Sequence, residues 1–355
     1  MKKLNVCVLF GGISPEHKVS LRSAESVLLN LDPEKYNIFP VGITEKGDWY
    51  LFGGKDYTEL PSGKWLENPA NRKATISPIR GQGLLSFEGD CVVREMIDVV
   101  FPVLHGENGE DGAMQGLLQM AGIPFVGSHV AASAVAMDKT LTKLVADSEQ
   151  VVQADWILVR SNELESRIDK ILDSIEAKFS YPVFVKPAGT GSSVGVSKAA
   201  DRNQAAKALL EAGKYDEKIL VEEFIDGREI EVAVMGNRNP VASVCGEIDS
   251  GAEFYDYEAK YVTDTSVAYI PARLTEEVSE QVREAAVKIY SAVGCRGLSR
   301  VDFFVTKENR IVFNEINTLP GFTSISMYPK LFTASGIPYN QLLDELLQLA
   351  LEDVG

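Results

Sequence analysis

Residues 99–104 read Val-Val-Phe-Pro-Val-Leu, six apolar side chains in a row. A strand with one wet face alternates apolar and polar residues. A run with no polar position has to be covered on both faces, as in a parallel sheet flanked by helices. The chain around it fits that demand. Residues 4–10 form a β-rich run, Gly11-Gly12-Ile13-Ser14-Pro15 a turn, and Val19, Ala24, Val27, Leu28 and Leu31 the apolar contacts of a helix. A strand is expected over 36–43, a helix from about 112 and a short strand over 123–126. The polar, Gly- and Pro-rich stretch 45–89 reads as loops and short hairpins. Strands alternating with helices predict an open α/β sheet for roughly the first 125 residues.

Two further regions follow. In the second, 133–146 has a helical pattern, 181–186 reads as a strand ending at Pro187, and a Gly/Ser-rich loop spans 189–195. Asp201 with Gln204 looks like a capping box opening a helix through about 212, and 219–224 is another strand, giving α+β character. The third begins near Asp226-Gly227, with antiparallel strands over 230–235 and 240–248. Thr275 caps a helix whose Val278, Val282, Ala286 and Ile289 share a face, and Gly294 stops it. A hairpin over 301–305 and 311–316 and a helix over 339–351 complete the chain. At 355 residues, two or three domains are expected, and we place them at 1–127, 128–226 and 227–355.

The formal net charge of −16 argues against nucleic acid and against an anionic membrane surface as partners. Any polyphosphate site therefore needs its own basic cluster. Cys7, Cys91, Cys245 and Cys295 show neither disulfide nor metal spacing and read as free thiols of a reducing cytosol. The start, Met-Lys-Lys-Leu-Asn, runs into an apolar strand broken by Gly11 and Gly12, without the apolar region of a signal peptide, so a cytoplasmic location is expected.

The hairpin near residue 308 carries the sharpest chemical signal. Side chains alternate along a strand, so Arg300 and Asp302 share a face, as do Glu315 and Asn317. A turn centred between Glu308 and Asn309 sets Asp302 opposite Glu315 and Arg300 opposite Asn317. Two carboxylates and an amide are oxygen donors of the kind Mg²⁺ prefers, with substrate phosphates completing its shell. An Arg–carboxylate pair on a solvated sheet face is the alternative. Lys139, after Asp138 on a helix, and Lys186, before Pro187 and a glycine-rich loop, are the basic candidates. The loop Gly189-Thr190-Gly191-Ser192-Ser193-Val194-Gly195 can cradle phosphate, though it is neither a Walker A loop nor a Rossmann fingerprint, and it could equally be a flexible hairpin tip. Glu222-Glu223-Phe224-Ile225 ends a strand before Asp226-Gly227-Arg228-Glu229, where backbone can meet an adenine edge and a carboxylate a ribose; a surface acidic turn is the bland alternative. His105 follows the buried run at a strand's carboxyl end, where open α/β sheets bind ligands, while Glu107 to Asp111 also fits a capping turn.

Taken together, the segments 10–17, 105–112, 137–139, the loop around Ser192, 254–261, 314–321 and 323–331 resemble the D-alanine–D-alanine ligases of the ATP-grasp superfamily, in order and over essentially the whole chain. The resemblance implies an ATP-grasp fold with an N-terminal open α/β (Rossmann-like) domain and two α+β domains holding ATP between them. It implies a carbon–nitrogen ligase of peptidoglycan precursor synthesis, in which ATP phosphorylates the carboxylate of one D-alanine and the amine of a second attacks the acyl phosphate. Relatives forming D-alanyl-D-lactate or D-alanyl-D-serine are the alternative, and Tyr261 in Tyr-Glu-Ala-Lys-Tyr together with His17 resembles the dipeptide-forming type. It further implies two Mg²⁺ or Mn²⁺ ions on Asp302, Glu315 and Asn317, and phosphate contacts from Lys139 and Lys186. Ser193, Glu222, Glu223, Phe224, Ile225, Glu229 and Lys260 would bind ATP. Arg300 and the Gly321 N–H would stabilise the tetrahedral oxyanion, and Glu16 would meet the first D-alanine's ammonium. Ser192 and Tyr261 would link with Glu16 to close a lid over 252–269. His105, Lys260, Ser326 and Met327 would contact substrate, and a homodimer is the family's expected state.

Overall fold

Three successive stretches of chain each build one sheet. In the computed structural model, which describes residues 2–191, 194–249 and 267–352, the first stretch contains β1 (Leu4–Gly11), α1 (His17–Asn30), β2 (Tyr36–Ile43), β3 (Trp49–Leu51), β4 (Arg72–Ile76), β5 (Leu84–Glu88), β6 (Cys91–Glu95), β7 (Val99–Leu104) and α2 (Ala113–Ala121). The strand order is β6-β5-β4-β3-β2-β1-β7. β1 pairs in parallel with β2 and β7, and β7 is buried at every position, as its uninterrupted apolar run requires. The stretch expected to be loops and short hairpins forms the antiparallel strands β3 to β6, which extend this sheet. Its glycines mark turns, Gly81, Gly83 and Gly89 all having positive φ, rather than an absence of strands. The strand expected over 123–126 shrinks to a single bridge between Phe125 and Val100.

The second stretch holds α3 (Val130–Met137), α4 (Lys139–Ser148), β8 (Trp156–Arg160), α5 (Ser161–Lys178), β9 (Val183–Pro187), β10 (Ser197–Ala199), α6 (Arg202–Ala212) and β11 (Lys218–Glu223), with sheet order β10-β9-β11-β8. The helix expected over 133–146 is two helices. Asp138 Oδ1 accepts the N–H groups of Thr140 at 2.9 Å and Leu141 at 3.2 Å, which ends α3 and caps α4 with Lys139 as its first residue. Asp201 caps α6 through the Gln204 N–H at 2.9 Å, while Gln204 Oε1 accepts from Ala200, one residue before the cap.

The third stretch holds β12 (Gly227–Met235), β13 (Val241–Asp249), β14 (Val267–Tyr269), α7 (Glu276–Val293), β15 (Leu298–Thr306), β16 (Ile311–Asn317), α8 (Met327–Ala334) and α9 (Tyr339–Glu352), in an antiparallel sheet of order β14-β13-β12-β15-β16. α7 buries Val278, Val282, Ala286 and Ile289 against it, and Gly294, at φ +79°, ends the helix. The β15–β16 turn is centred on Glu308, with Val305 opposite Ile311 and Phe303 opposite Phe313. A bulge at Asn314 then shifts the register by one residue, so Asp302 does face Glu315 and Arg300 does face Asn317. The expected pairing is reached by a different turn plus a bulge.

One hydrophobic core joins the first and third stretches. Val8, Phe10 and Phe101 share it with Leu319, Phe322, Tyr328 and the buried leucines of α9. Among the described residues, no helix is long and apolar enough to cross a membrane.

Candidate active site

The carboxyl ends of β1 and β7, the edge of the second sheet and the β15–β16 hairpin converge on one cleft of about 1270 Å³. That exceeds the roughly 300–1,000 Å³ of an ordinary small-molecule pocket and leaves room for more than one ligand. Its walls include Glu16, His105, Lys139, Lys186, Glu222, Glu223, Phe224, Ile225, Glu229, Arg300, Glu315, Asn317, Gly321, Ser326 and Met327. Asp302 lies behind Arg300, beside Glu315. The candidates Ser192, Ser193, Lys260 and Tyr261, and the lid segment up to residue 266, lie outside the described residues.

The acidic platform is a row across three strands. Glu231 on β12 pairs with Asp302 on β15, which pairs with Glu315 on β16. Directly opposed residues point to the same face, so three carboxylates line up there. Arg300 bridges them: its Nε and Nη2 donate to Asp302 at 2.8 and 2.7 Å, and its Nε lies 3.2 Å from Glu231. Burial disfavours the guanidinium charge, but Asp302 and Glu231 outweigh it and hold Arg300 well above the usual arginine range. Asn317 Oδ1 accepts the Leu319 N–H at 3.0 Å. Among the described residues, no group of three or more His, Cys, Asp or Glu is arranged to hold a metal. A dication would therefore rest on Asp302, Glu315 and the Asn317 amide. All are oxygen donors with lone pairs to spare, and phosphate and water would fill the other positions in the manner of Mg²⁺.

The basic side is held by buried ion pairs. Lys186 on β9 and Glu222 on β11 sit diagonally across antiparallel strands, and their Nζ and Oε2 are 2.6 Å apart. Lys143, one turn beyond Lys139 on α4, reaches the other oxygen of Glu222 at 2.6 Å. The Glu222 carboxylate is thus fully engaged in holding two lysines. Burial would raise its pKa, but Lys186 and Lys143 hold it down at about 2. Lys139 Nζ donates to the Thr190 carbonyl at 2.7 Å and lies 4.0 Å from Glu315, which ties the glycine-rich loop to the acidic platform. Phe224 and Phe184 form an aromatic wall, ring centroids 6.1 Å apart, with Lys198 over the Phe224 ring at 4.5 Å. Glu223 accepts the Asp155 N–H at 3.1 Å.

Glu16 precedes α1 at the third wall. A Cβ on Gly191 would come within 3.1 Å of Glu16 Oε2, and one on Gly106 within 2.7 Å, so a side chain at either position would push the carboxylate from its present place. Glu110 shares this corner and accepts the Gly106 N–H at 2.6 Å. Burial, with Glu16 close by, pushes the Glu110 carboxyl up to about 8. His105 is buried and hydrogen-bonded at both ring nitrogens. Gly321 is also closely approached: a Cβ there would lie 2.9 Å from Ser326 Oγ, which itself accepts the Thr323 N–H at 3.0 Å.

Glu110, Lys143 and Glu231 were not singled out from the sequence. Glu110 lies inside a segment that also reads as a capping turn. Lys143 follows Lys139 at helical spacing, and Glu231 follows Glu229 at strand spacing, but such spacings occur on any solvated face.

Glu222 and Glu110 predict opposite pH effects on stability. Glu222 is held at about 2, below its usual 4.5, so its contribution is present above pH 4.5 and is lost as pH falls through about 2. Glu110 is raised to about 8, so its contribution is present below pH 4.5 and is lost as pH rises through about 8. Urea midpoints measured against pH are expected to fall on both sides, and Glu110→Gln to flatten the alkaline side alone. An unchanged alkaline side in that variant would assign it to another group.

Comparison with known proteins gives the same picture over the whole chain. The family model "D-ala D-ala ligase N-terminus" matches residues 5–128, and "D-ala D-ala ligase C-terminus" matches 145–348. The D-alanine–D-alanine ligase of Caldicellulosiruptor bescii is 51% identical over 354 residues, covering 99% of this chain and 96% of the relative. That of Acetivibrio thermocellus is 49% identical over 363 residues, covering 99% and 96%. Among solved structures, the VanG D-Ala:D-Ser ligase from Enterococcus faecalis matches at TM-score 0.89 and 37% identity, covering 98% of this chain and 100% of that one. The D-alanine–D-alanine ligase from Coxiella burnetii matches at TM-score 0.85 and 36% identity, covering 100% and 95%. The architecture is the ATP-grasp fold expected from the sequence, and with both family models and near-full-length relatives in agreement, the chain belongs to the D-alanine–D-alanine ligase family.

Proposed function

We propose that this cleft condenses two D-alanines with ATP, giving D-alanyl-D-alanine, ADP and phosphate for peptidoglycan precursor synthesis. The observation that carries the reading is the convergence of Lys139, Lys186, Arg300 and the Asp302–Glu315–Asn317 row on the same cleft as Glu16 and Gly321. A carboxylate oxygen of the first D-alanine attacks the γ-phosphorus and ADP leaves. The amine of the second D-alanine, having lost a proton, attacks the acyl carbon, and phosphate leaves. Phosphoryl transfer asks the protein for position and charge. Lys139 and Lys186 supply charge against the phosphates, and Glu222 orients Lys186 toward them. Phe224 and Ile225 offer backbone to the adenine, Glu229 meets the ribose, and Glu223 completes that wall. Glu16 holds the first ammonium, while Arg300 and the Gly321 N–H donate to the oxyanion. Lys260, Ser326 and Met327 form the second subsite, and Ser192 and Tyr261 close on Glu16. Mg²⁺ or Mn²⁺ held by Asp302, Glu315 and Asn317 would neutralise charge on the transferring phosphate. Shielding the acyl phosphate from water then falls to the closed cleft. A cytoplasmic homodimer is part of the same proposal.

The D-serine reading rests on the VanG structure at 37% identity, whereas the cited relatives at 51% and 49% carry the D-alanine–D-alanine name. A substrate panel decides between them. Purified chain with ATP, Mg²⁺ and D-alanine is expected to release phosphate and form the dipeptide. Inactivity with D-alanine alone, with turnover only when D-serine or D-lactate is added as second substrate, would reverse the assignment.

A further inference from the structure

Gly321 lies in the connection between β16 and α8, which has no regular structure of its own. Two side chains of the first stretch hold that connection from across the interface. Ser23, on α1, is fully buried, and its Oγ accepts the Phe322 N–H at 3.2 Å. The same Oγ lies 3.3 Å from His105 Nε2, and His105 Nδ1 lies 3.0 Å from the Leu319 carbonyl oxygen.

For a neutral ring these contacts allow one assignment of protons. A carbonyl oxygen can only accept, so Nδ1 carries the ring proton. In a neutral imidazole Nε2 is then an acceptor, and the Ser23 hydroxyl donates to it. Burial pulls the His105 pKa down, which favours that neutral ring. The two anchor points bracket Gly321, at Leu319 on one side and Phe322 on the other. Phe322 is further pinned by the Tyr339 hydroxyl on its carbonyl at 2.6 Å and by edge-on packing against Phe101, 5.7 Å between centroids. A peptide N–H whose neighbours are tied on both sides is fixed in direction. Ser23 also lies seven residues, about two helical turns, beyond Glu16. The helix that Glu16 caps therefore also anchors the Gly321 connection.

We propose that Ser23 and His105 form a positioning relay that aims the Gly321 N–H at the reacting carboxyl group and couples its direction to the Glu16 subsite. The proposal rests on Gly321 being an oxyanion donor. It makes His105 a positioning residue rather than a substrate contact.

The test uses the full chain with ATP, Mg²⁺ and D-alanine, and a tetrahedral phosphinate analogue of the dipeptide as probe. Misplacing a catalytic group by about 1 Å costs on the order of 10²-fold. Ser23→Ala is therefore expected to lower kcat roughly 10- to 100-fold and to weaken phosphinate binding by the same factor. KM for ATP is expected to stay within about twofold, since the nucleotide contacts are untouched. Ser23→Thr, which keeps the hydroxyl, is expected to retain most of the rate. His105→Asn is an independent arm should Ser23→Ala fold poorly. Because the two residues act as one unit, the double variant is expected to be no slower than the slower single. Full kcat in Ser23→Ala, a loss confined to KM for ATP, or multiplying losses in the double variant would overturn the relay. In each of those results wild-type turnover stands. Absence of dipeptide from the wild type would overturn the functional reading itself.

Discussion

Glu315→Gln is expected to abolish turnover while leaving the protein as stable as before, or slightly more so. Glu315 ends the carboxylate row that begins with Glu231 and Asp302. Its side chain keeps 34% of its exposure, and it forms a long ion pair with Lys139 at 4.0 Å. Folding gains little from that pair, since partly exposed pairs of this kind are worth about 0–1 kcal/mol. The amide fills the same space and removes one of several crowded negative charges. The reaction loses much more. A metal-held phosphate represents several kcal/mol of transition-state stabilisation, and at about 1.36 kcal/mol per decade that is roughly a thousandfold in rate. Turnover and melting temperature measured on one preparation separate the two effects. Near-normal turnover would show that the metal site is misassigned, and a marked drop in melting temperature would show that Glu315 is structural.

Lys143→Met is expected to act the other way, chiefly on stability. The Lys143 and Glu222 side chains are 2% and 5% exposed and meet at 2.6 Å. Removing one partner of a buried pair leaves the other under-compensated, at a cost of about 3–5 kcal/mol. Lys186 still neutralises part of the Glu222 charge, so a loss of about 3 kcal/mol is expected, near the lower end of that range. A second change, Glu222→Gln, is expected to recover part of the loss by removing the stranded charge. Thermal melts of the single and double variants check this. A single variant that melts with the wild type, or a double variant less stable than the single, would show that the pair does not support the fold.

The arrangement of the candidate site was legible in the sequence where strand alternation governs it. Asp302, Glu315 and Asn317 are close in sequence on a hairpin, and local periodicity places them on one face. Even there the route differed, because a bulge at Asn314 compensates for a turn centred half a residue earlier than expected. Short hairpins were expected over 45–89, but their joining into the first sheet was hidden, because Gly- and Pro-rich turns dominate the composition of these short, half-exposed strands. Lys143 was hidden for a deeper reason. A lysine on a helix is ordinarily solvated, and nothing in the sequence shows that Glu222, 79 residues later, lies against it.

By itself the sequence determined the buried parallel strand Val99–Leu104, the caps that start α6 and α7, and the oxygen-donor row of the hairpin. These are written in spacings of two to four residues, the range over which backbone geometry dictates which side chains meet. Only the tertiary structure decided how the three sheets share one cleft, which lysines neutralise Glu222, and that Ser23 and His105 grip the connection carrying Gly321. Those contacts join residues up to 299 positions apart. The contacts of Ser23 and His105 exist because a shared hydrophobic core presses the first and third stretches together, and buried polar groups brought into that interface must find partners there.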